Sequence, residues 1–190
     1  SMANLTKKQI GIALTLLLLI IFARSIYVTN ITSFYVFHLI EAYGLTIQKG
    51  QLLIFLFLAV GAAGTFFGGP LADKMGRKNV IVLSLIVPIP LSLILPYVPL
   101  PIVILLLILI GFFIMLSFSV TVVYAQELVP SKIGTMAGLT VGLAFGMGAI
   151  GAVAIGILMD HIGIYHTMII ISFLPIIGLV GLALPRDQKI

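Results

Sequence analysis

A single arginine, Arg24, interrupts an apolar run that carries no charge from Gln9 to Ala23 and stays apolar as far as Ile40. An unpaired charge deep in a lipid-embedded helix costs at least ~2.5 kcal/mol, so such a residue must face a cavity or a partner. Two roles fit it: an anchor for an anion or substrate, and a structural pairing with a neighbouring backbone group or carboxylate. Steps of three and four from Arg24 reach Tyr27, Ile31, Phe34 or Tyr35, His38 and Glu41, a polar and aromatic stripe along one helix face. An imidazole takes up a proton near neutral pH, and a carboxylate does so when its surroundings disfavour its charge. His38 and Glu41 are therefore candidates for proton coupling; the alternative is an ordinary solvated helix end.

Other groups recur at spacings that place them together. Ser117, Thr121 and Tyr124 share a helix face, either lining a cavity or, for the hydroxyls, bonding back to their own helix. Asp73, Arg77 and Glu127 fall at span ends expected on one membrane face, where Arg77 can pair with Glu127 and Asp73 can sit at a helix N-terminus. Glu127 joins His38 and Glu41 as a proton-coupling candidate. Gly134, Gly138, Gly142 and Gly146 recur every four residues, and Gly61, Gly64 and Gly68 do similarly. Such stripes let helix backbones approach closely in lipid, within this bundle or against another domain. There is no cysteine, and no serine–histidine–aspartate set, metal-ligand cluster or phosphate loop stands out, so the expectation is a non-enzyme without cofactor or metal.

Membrane spans must position these groups. The 190 residues are 62% hydrophobic and 8% charged, against roughly 25% charged in soluble domains, so lipid is the solvent for most of the surface. The net charge of +5 does not point to nucleic acid, because the basic residues sit in short clusters between apolar runs. A helix crosses the hydrocarbon core with about 20 apolar residues. The uncharged runs, with Pro96, Pro99 and Pro101 dividing the longest, predict one domain of six transmembrane helices near 9–42, 50–69, 79–96, 101–127, 132–159 and 166–184. Thr6 and Gln9 have capping-box spacing at the first start, and Pro88 and Pro90 are expected to bend the third span. Six spans put both termini on one side. That side holds Lys7, Lys8, Lys74, Arg77, Lys78, Lys132, Arg186 and Lys189, and the other only Lys49, so both termini are expected in the cytoplasm. Ser1-Met2 reads as an expression scar, and no cleavable signal is expected.

The segment from Gly69 to Gly76 and the segment from Gly156 to Gly163 both read G-x-L-x-D-x-x-G, with an offset of 87 residues. Three crossings separate them, so the copies lie on opposite faces, which is the pattern of an inverted three-plus-three repeat. Only the first copy continues into basic residues, Arg77-Lys78.

Gly69-Pro70-Leu71-Ala72-Asp73-Lys74-Met75-Gly76-Arg77-Lys78 resembles the cytoplasmic loop motif of the major facilitator superfamily and lies between the second and third spans, as in that family. Phe67 to Asp73, Val123 to Pro130 and Gly134 to Gly151 resemble the C-terminal half of a bacterial drug-resistance exporter of the superfamily. The resemblance covers nearly the whole chain. It implies half of a twelve-helix, proton-driven exporter of small drugs in the bacterial inner membrane. The missing half is then a second copy, giving a homodimer, or a separate N-terminal half; the alternative is a stable half without transport of its own. In the family the first and fourth helices of a half line the cavity, which implicates Arg24, Tyr27, Tyr35, Ser117, Thr121 and Tyr124, with an anionic drug as the fitting substrate. The resemblance also implies a conformational latch at Gly69, Asp73, Gly76, Arg77 and Lys78, and glycine-lined helices at the contact between halves. Asp160, in the degenerate copy, reads as a structural cap. The Gly-Pro pair that antiporters often carry in the fifth helix of the N-terminal half is missing, since no proline lies between Pro130 and Pro175.

Overall fold

The computed structural model describes residues 4–185; Ser1, Met2, Arg186 and Lys189 lie outside the described residues. The described chain is all helical, one of the two ways a chain can satisfy its backbone in lipid and the one its continuous apolar runs select. Helix α1 (Lys7–Thr29) starts on a capping box: the Gln9 amide donates to Thr6 Oγ1 at 3.2 Å, and the Thr6 amide to Gln9 Oε1 at 2.9 Å. A π-helical turn, Asn30–Phe34, joins it to α2 (Tyr35–Tyr43), which ends on left-handed Gly44. Helix α3 (Ile47–Met75) runs through Pro70 to Gly76, and α4 (Arg77–Ile86) follows at once. The chain breaks at Val87 ahead of Pro88, giving α5 (Pro88–Ile94), then a 3-10 turn, Leu95–Tyr97. Pro99 caps α6 (Leu100–Met115), and a turn at Leu116 separates it from α7 (Ser117–Leu128). Helix α8 (Ile133–Phe173) leads into a 3-10 segment, Leu174–Ala183.

Among the described residues, five helical stretches are long and apolar enough to cross a membrane: Lys7–Tyr43, Ile47–Met75, Arg77–Tyr97, Leu100–Leu128 and Pro130–Ala183. The last has 54 residues, about 80 Å if straight and more than twice a hydrocarbon core. It is not straight. Gly163 stands at φ 83°, ψ 168° within α8, a region that only glycine enters cheaply. Its counterpart 87 positions earlier, Gly76, stands at φ 89°, ψ 144° and ends α3. Both closing glycines of the repeated sequence therefore carry the same unusual backbone and break a helix there.

The packing is paired in the same way. Helix α3 lies mainly against α6, and α8 mainly against α1. Glycines set the first contact: a Cβ on Gly64 would sit 2.3 Å from the Phe112 carbonyl oxygen, and one on Gly68 2.0 Å from that of Leu116. Across the second contact, a Cβ on Gly151 would come 2.9 Å from the Ile26 side chain. The two glycine stripes thus part company. Gly61, Gly64 and Gly68 are buried inside the bundle, whereas Gly134, Gly138, Gly142 and Gly146 are exposed, and a Cβ on any of these four would meet nothing within 4 Å. Leu17, Ile20, Ile21, Phe57, Leu107 and Ile110 form the core, while Phe55, Phe66, Phe145 and Val153 point outward, an arrangement suited to lipid.

Gly64→Val should lose about 3 kcal/mol or more of stability, because backbone rather than a movable side chain blocks the new atoms. Gly138→Val, with nothing within 4 Å of a Cβ there in this chain, should stay within about 0.5 kcal/mol of the parent as an isolated monomer. Thermal unfolding of the detergent-solubilised chain, followed by its loss of monodispersity, distinguishes the two.

Candidate substrate cavity

Arg24 is 3% exposed, in the last two turns of α1. Its Nη1 donates to Ser117 Oγ at 3.1 Å and to Thr121 Oγ1 at 3.3 Å, and its guanidinium carbon lies 5.2 Å from the centre of the Phe118 ring. The Leu116 turn brings these three residues to it, since Ser117 opens α7 and Thr121 lies one turn further. Thr121 in turn donates to the Phe118 carbonyl at 2.9 Å, so its oxygen is aimed to accept. All these partners are neutral. Among the described residues the one carboxylate pair is Arg77 with Glu127, and no carboxylate lies within 4.0 Å of Arg24.

Arg24 borders a cavity of about 600 Å³. Its polar wall is one flank of the first helix: Ser25, Thr29, Thr32 and Ser33. Leu58 of α3, Met115 of α6, Phe118 of α7 and the Ala144–Phe145 and Gly148–Ala149 pairs of α8 supply the apolar walls. The π turn at Asn30–Phe34 adds a residue to the helical repeat, so the polar flank continues through Thr32 and Ser33. Such turns recur at functional sites.

The residues expected to line one cavity are thus divided. Arg24 does line it. Ser117 and Thr121 stand behind Arg24 and hold it. Tyr27 turns the other way, to a hydrogen bond with Ser92 of α5. Tyr35 is fully buried, and Tyr124 donates to the Pro185 carbonyl at 2.7 Å. His38 and Glu41 border a second, smaller cavity at the far end of α2. At the basic loop, Arg77 Nη1 lies 3.0 Å from Glu127 Oε1. Gly69 is half-buried in α3, Gly76 makes the turn, and Lys78 is half-buried in α4. Asp73 is exposed in the last turn of α3, not at a helix N-terminus, and Asp160 is exposed in α8. The hydroxyl flank Ser25, Thr29, Thr32, Ser33 escaped the sequence reading. Its signal was there: polar residues three and four apart in an otherwise apolar run, offset by one from the stripe that contains the tyrosines.

Helices this apolar, packed around a cavity with one buried cation on its wall, make a membrane-spanning domain. The chain belongs to the Major Facilitator Superfamily, which its residues 4–141 match. It is a multi-pass membrane protein of that transporter family. It is 54% identical over 160 residues to the uncharacterized MFS-type transporter YfnC of Bacillus subtilis (strain 168), covering 84% of this chain and 39% of that protein. It is 44% identical over 184 residues to the fosmidomycin resistance protein of Escherichia coli (strain K12), covering 97% of this chain and 45% of that protein. The chain therefore spans less than half the length of these relatives.

Replacing both acceptors, Ser117→Ala with Thr121→Val, should cost about 1–3 kcal/mol, because a buried guanidinium loses its partners. Adding Arg24→Leu to that background should recover much of the loss, since an apolar group replaces the stranded charge. A double-mutant cycle on thermal stability measures this; no recovery would mean that the three do not act as one unit.

Proposed function

We propose that the chain is a six-span half of a secondary transporter. Its three-plus-three inverted repeat divides at the basic loop motif and at Gly163, and the half works by alternating access against a second six-span unit. The paired breaks at Gly76 and Gly163 and the matched α3–α6 and α8–α1 contacts support the repeat. The length of the last apolar stretch supports two spans where it reads as one. The second unit is another copy of the chain or an N-terminal half, and it packs on the exposed face of Gly134, Gly138, Gly142 and Gly146. The positive-inside distribution supports cytoplasmic placement of both termini, and the bacterial relatives support the inner membrane.

The transported molecule is a small anion, drug-like in size. One observation carries this: Arg24 is buried beside a cavity of about 600 Å³ with neutral hydroxyls and an aromatic face as its partners, and no carboxylate within 4.0 Å among the described residues. A buried cation without a counter-ion is strongly stabilised by an entering anion. The fosmidomycin resistance relative supports export of a drug. Export is driven by protons, with His38, Glu41 and Glu127 as the candidate carriers, and the Arg77–Glu127 pair with the Asp73 loop forms the latch of one conformation. A second reading is a stable half without transport of its own, which the self-contained packing of α3 on α6 and of α8 on α1 supports.

Proteoliposomes carrying the chain should exchange radiolabelled fosmidomycin or another small phosphonate across the membrane, and Arg24→Gln should abolish the exchange while leaving the fold intact. Exchange unchanged in that variant removes Arg24 from the site. No exchange of any anion favours the half-domain reading. The mass of the detergent-solubilised particle tests assembly: a monomer rules out the homodimer.

A further inference from the structure

At the end of the bundle away from the Arg77–Glu127 pair, α2 meets the Gly163 turn around a cavity of about 350 Å³. His38, Glu41 and Ala42 form one wall, and Ile162 to His166 form the other. His38 belongs both to this wall and to the dry interior. It is 7% exposed overall, and its Nε2 is buried with no hydrogen-bond partner. The Tyr35 hydroxyl, one turn deeper, is likewise buried without a partner. The two rings stack, with centroids 5.5 Å apart and planes at 24°. Buried polar atoms without partners cost about 1–3 kcal/mol each, and His38, which lines the cavity wall, can be relieved by a ligand entering there.

The groups that face His38 define that ligand. Tyr43 lies edge-on to the ring at 6.1 Å. Its own hydroxyl donates to the Val98 carbonyl at 2.6 Å and is committed there. Glu41 lies one turn on and is exposed at the cavity mouth. From α8 come Tyr165, hydrogen-bonded to Tyr97, and the exposed His166. No carboxylate lies within 4.0 Å of His38 among the described residues. The set is two imidazoles, one carboxylate and no fixed cation, and the described residues contain no three-ligand metal cluster. That chemistry fits water and its protons.

We propose that this cavity is a hydrated vestibule that delivers protons to His38, and that His38 is the proton-binding group of the transporter on this side. The proposal rests on the transport reading above and chooses among its three candidates. Glu127 is held by Arg77 at the other end of the bundle. Glu41 is exposed at the mouth, where it attracts protons and balances the charge they bring. The step is a transfer of one proton from hydronium in the vestibule to the neutral imidazole, giving imidazolium and water; release reverses it.

Two measurements on the chain in lipid nanodiscs and proteoliposomes decide it. Nitrogen NMR of labelled histidine, assigned with His38→Gln, should show the His38 ring turning from neutral to protonated as pH falls and exchanging its proton with bulk water, with slower exchange in Glu41→Gln. A His38 signal that neither titrates nor exchanges overturns the proposal, whether or not the chain transports. In proteoliposomes, His38→Gln should keep substrate exchange without a gradient and lose accumulation driven by a proton gradient. Driven accumulation that persists in this variant overturns the assignment and leaves the transport reading standing. Glu41→Gln, on the exposed rim, gives the same direction of effect without touching the core.

Discussion

Lipid supplies no hydrogen bonds to a peptide backbone, and the form of this protein follows from that constraint. The described elements are all helical, and the helix yields at specific places: a π turn at Asn30–Phe34, prolines at Pro88 and Pro99, a turn at Leu116, and positive-φ glycines at Gly44, Gly76 and Gly163. Each break does something that an unbroken rod would not. The π turn carries the hydroxyl flank along the large cavity, the Leu116 turn brings Ser117 and Thr121 under Arg24, and Gly163 kinks a 54-residue apolar stretch.

The second consequence concerns how helices attract one another. Between apolar helices in lipid no hydrophobic force remains, so association relies on close backbone approach and on scarce polar contacts. Gly64 and Gly68 allow the first, placing α3 against the carbonyls of α6 and the turn after it. Ser119 and Thr65 add the second, with the Ser119 hydroxyl donating to the Thr65 carbonyl at 3.2 Å. The other glycine stripe, at Gly134 to Gly146, makes no such contact and faces outward. Two stripes that look alike as sequence therefore do opposite work, one closing this bundle and the other leaving a flat face open.

Polar groups in the interior sort by whether their needs are met. Tyr27 with Ser92, Tyr43 with Val98 and Tyr124 with Pro185 are satisfied and read as structure. Arg24 is hydrogen-bonded but lacks a counter-charge, whereas Tyr35 and His38 lack partners at their buried atoms. Arg24 lines the large cavity and His38 the smaller one, with Tyr35 stacked behind His38, which gives the function readings their footing.

The sequence alone determined membrane residence, because an 8% charged chain has no other way to be solvated, and it placed the breaks at Pro88 and before α6, because proline acts locally. It also determined the superfamily, through a loop motif whose glycine and charges sit at fixed spacing, and it singled out Arg24, since a lone charge in an apolar run is conspicuous in any context. Only the tertiary structure decided which way the neighbouring side chains face. A straight-helix count put Arg24, Tyr27 and Tyr35 on one stripe, yet Arg24 borders the cavity while Tyr27 bonds to α5 and Tyr35 is buried in the interior. Helical periodicity gives the angle between side chains on one helix. It does not give the neighbours that each angle meets, and a single π turn moves the face that follows it. For the same reason the sequence found two glycine stripes but not their partners, which depend on where the other helices stand.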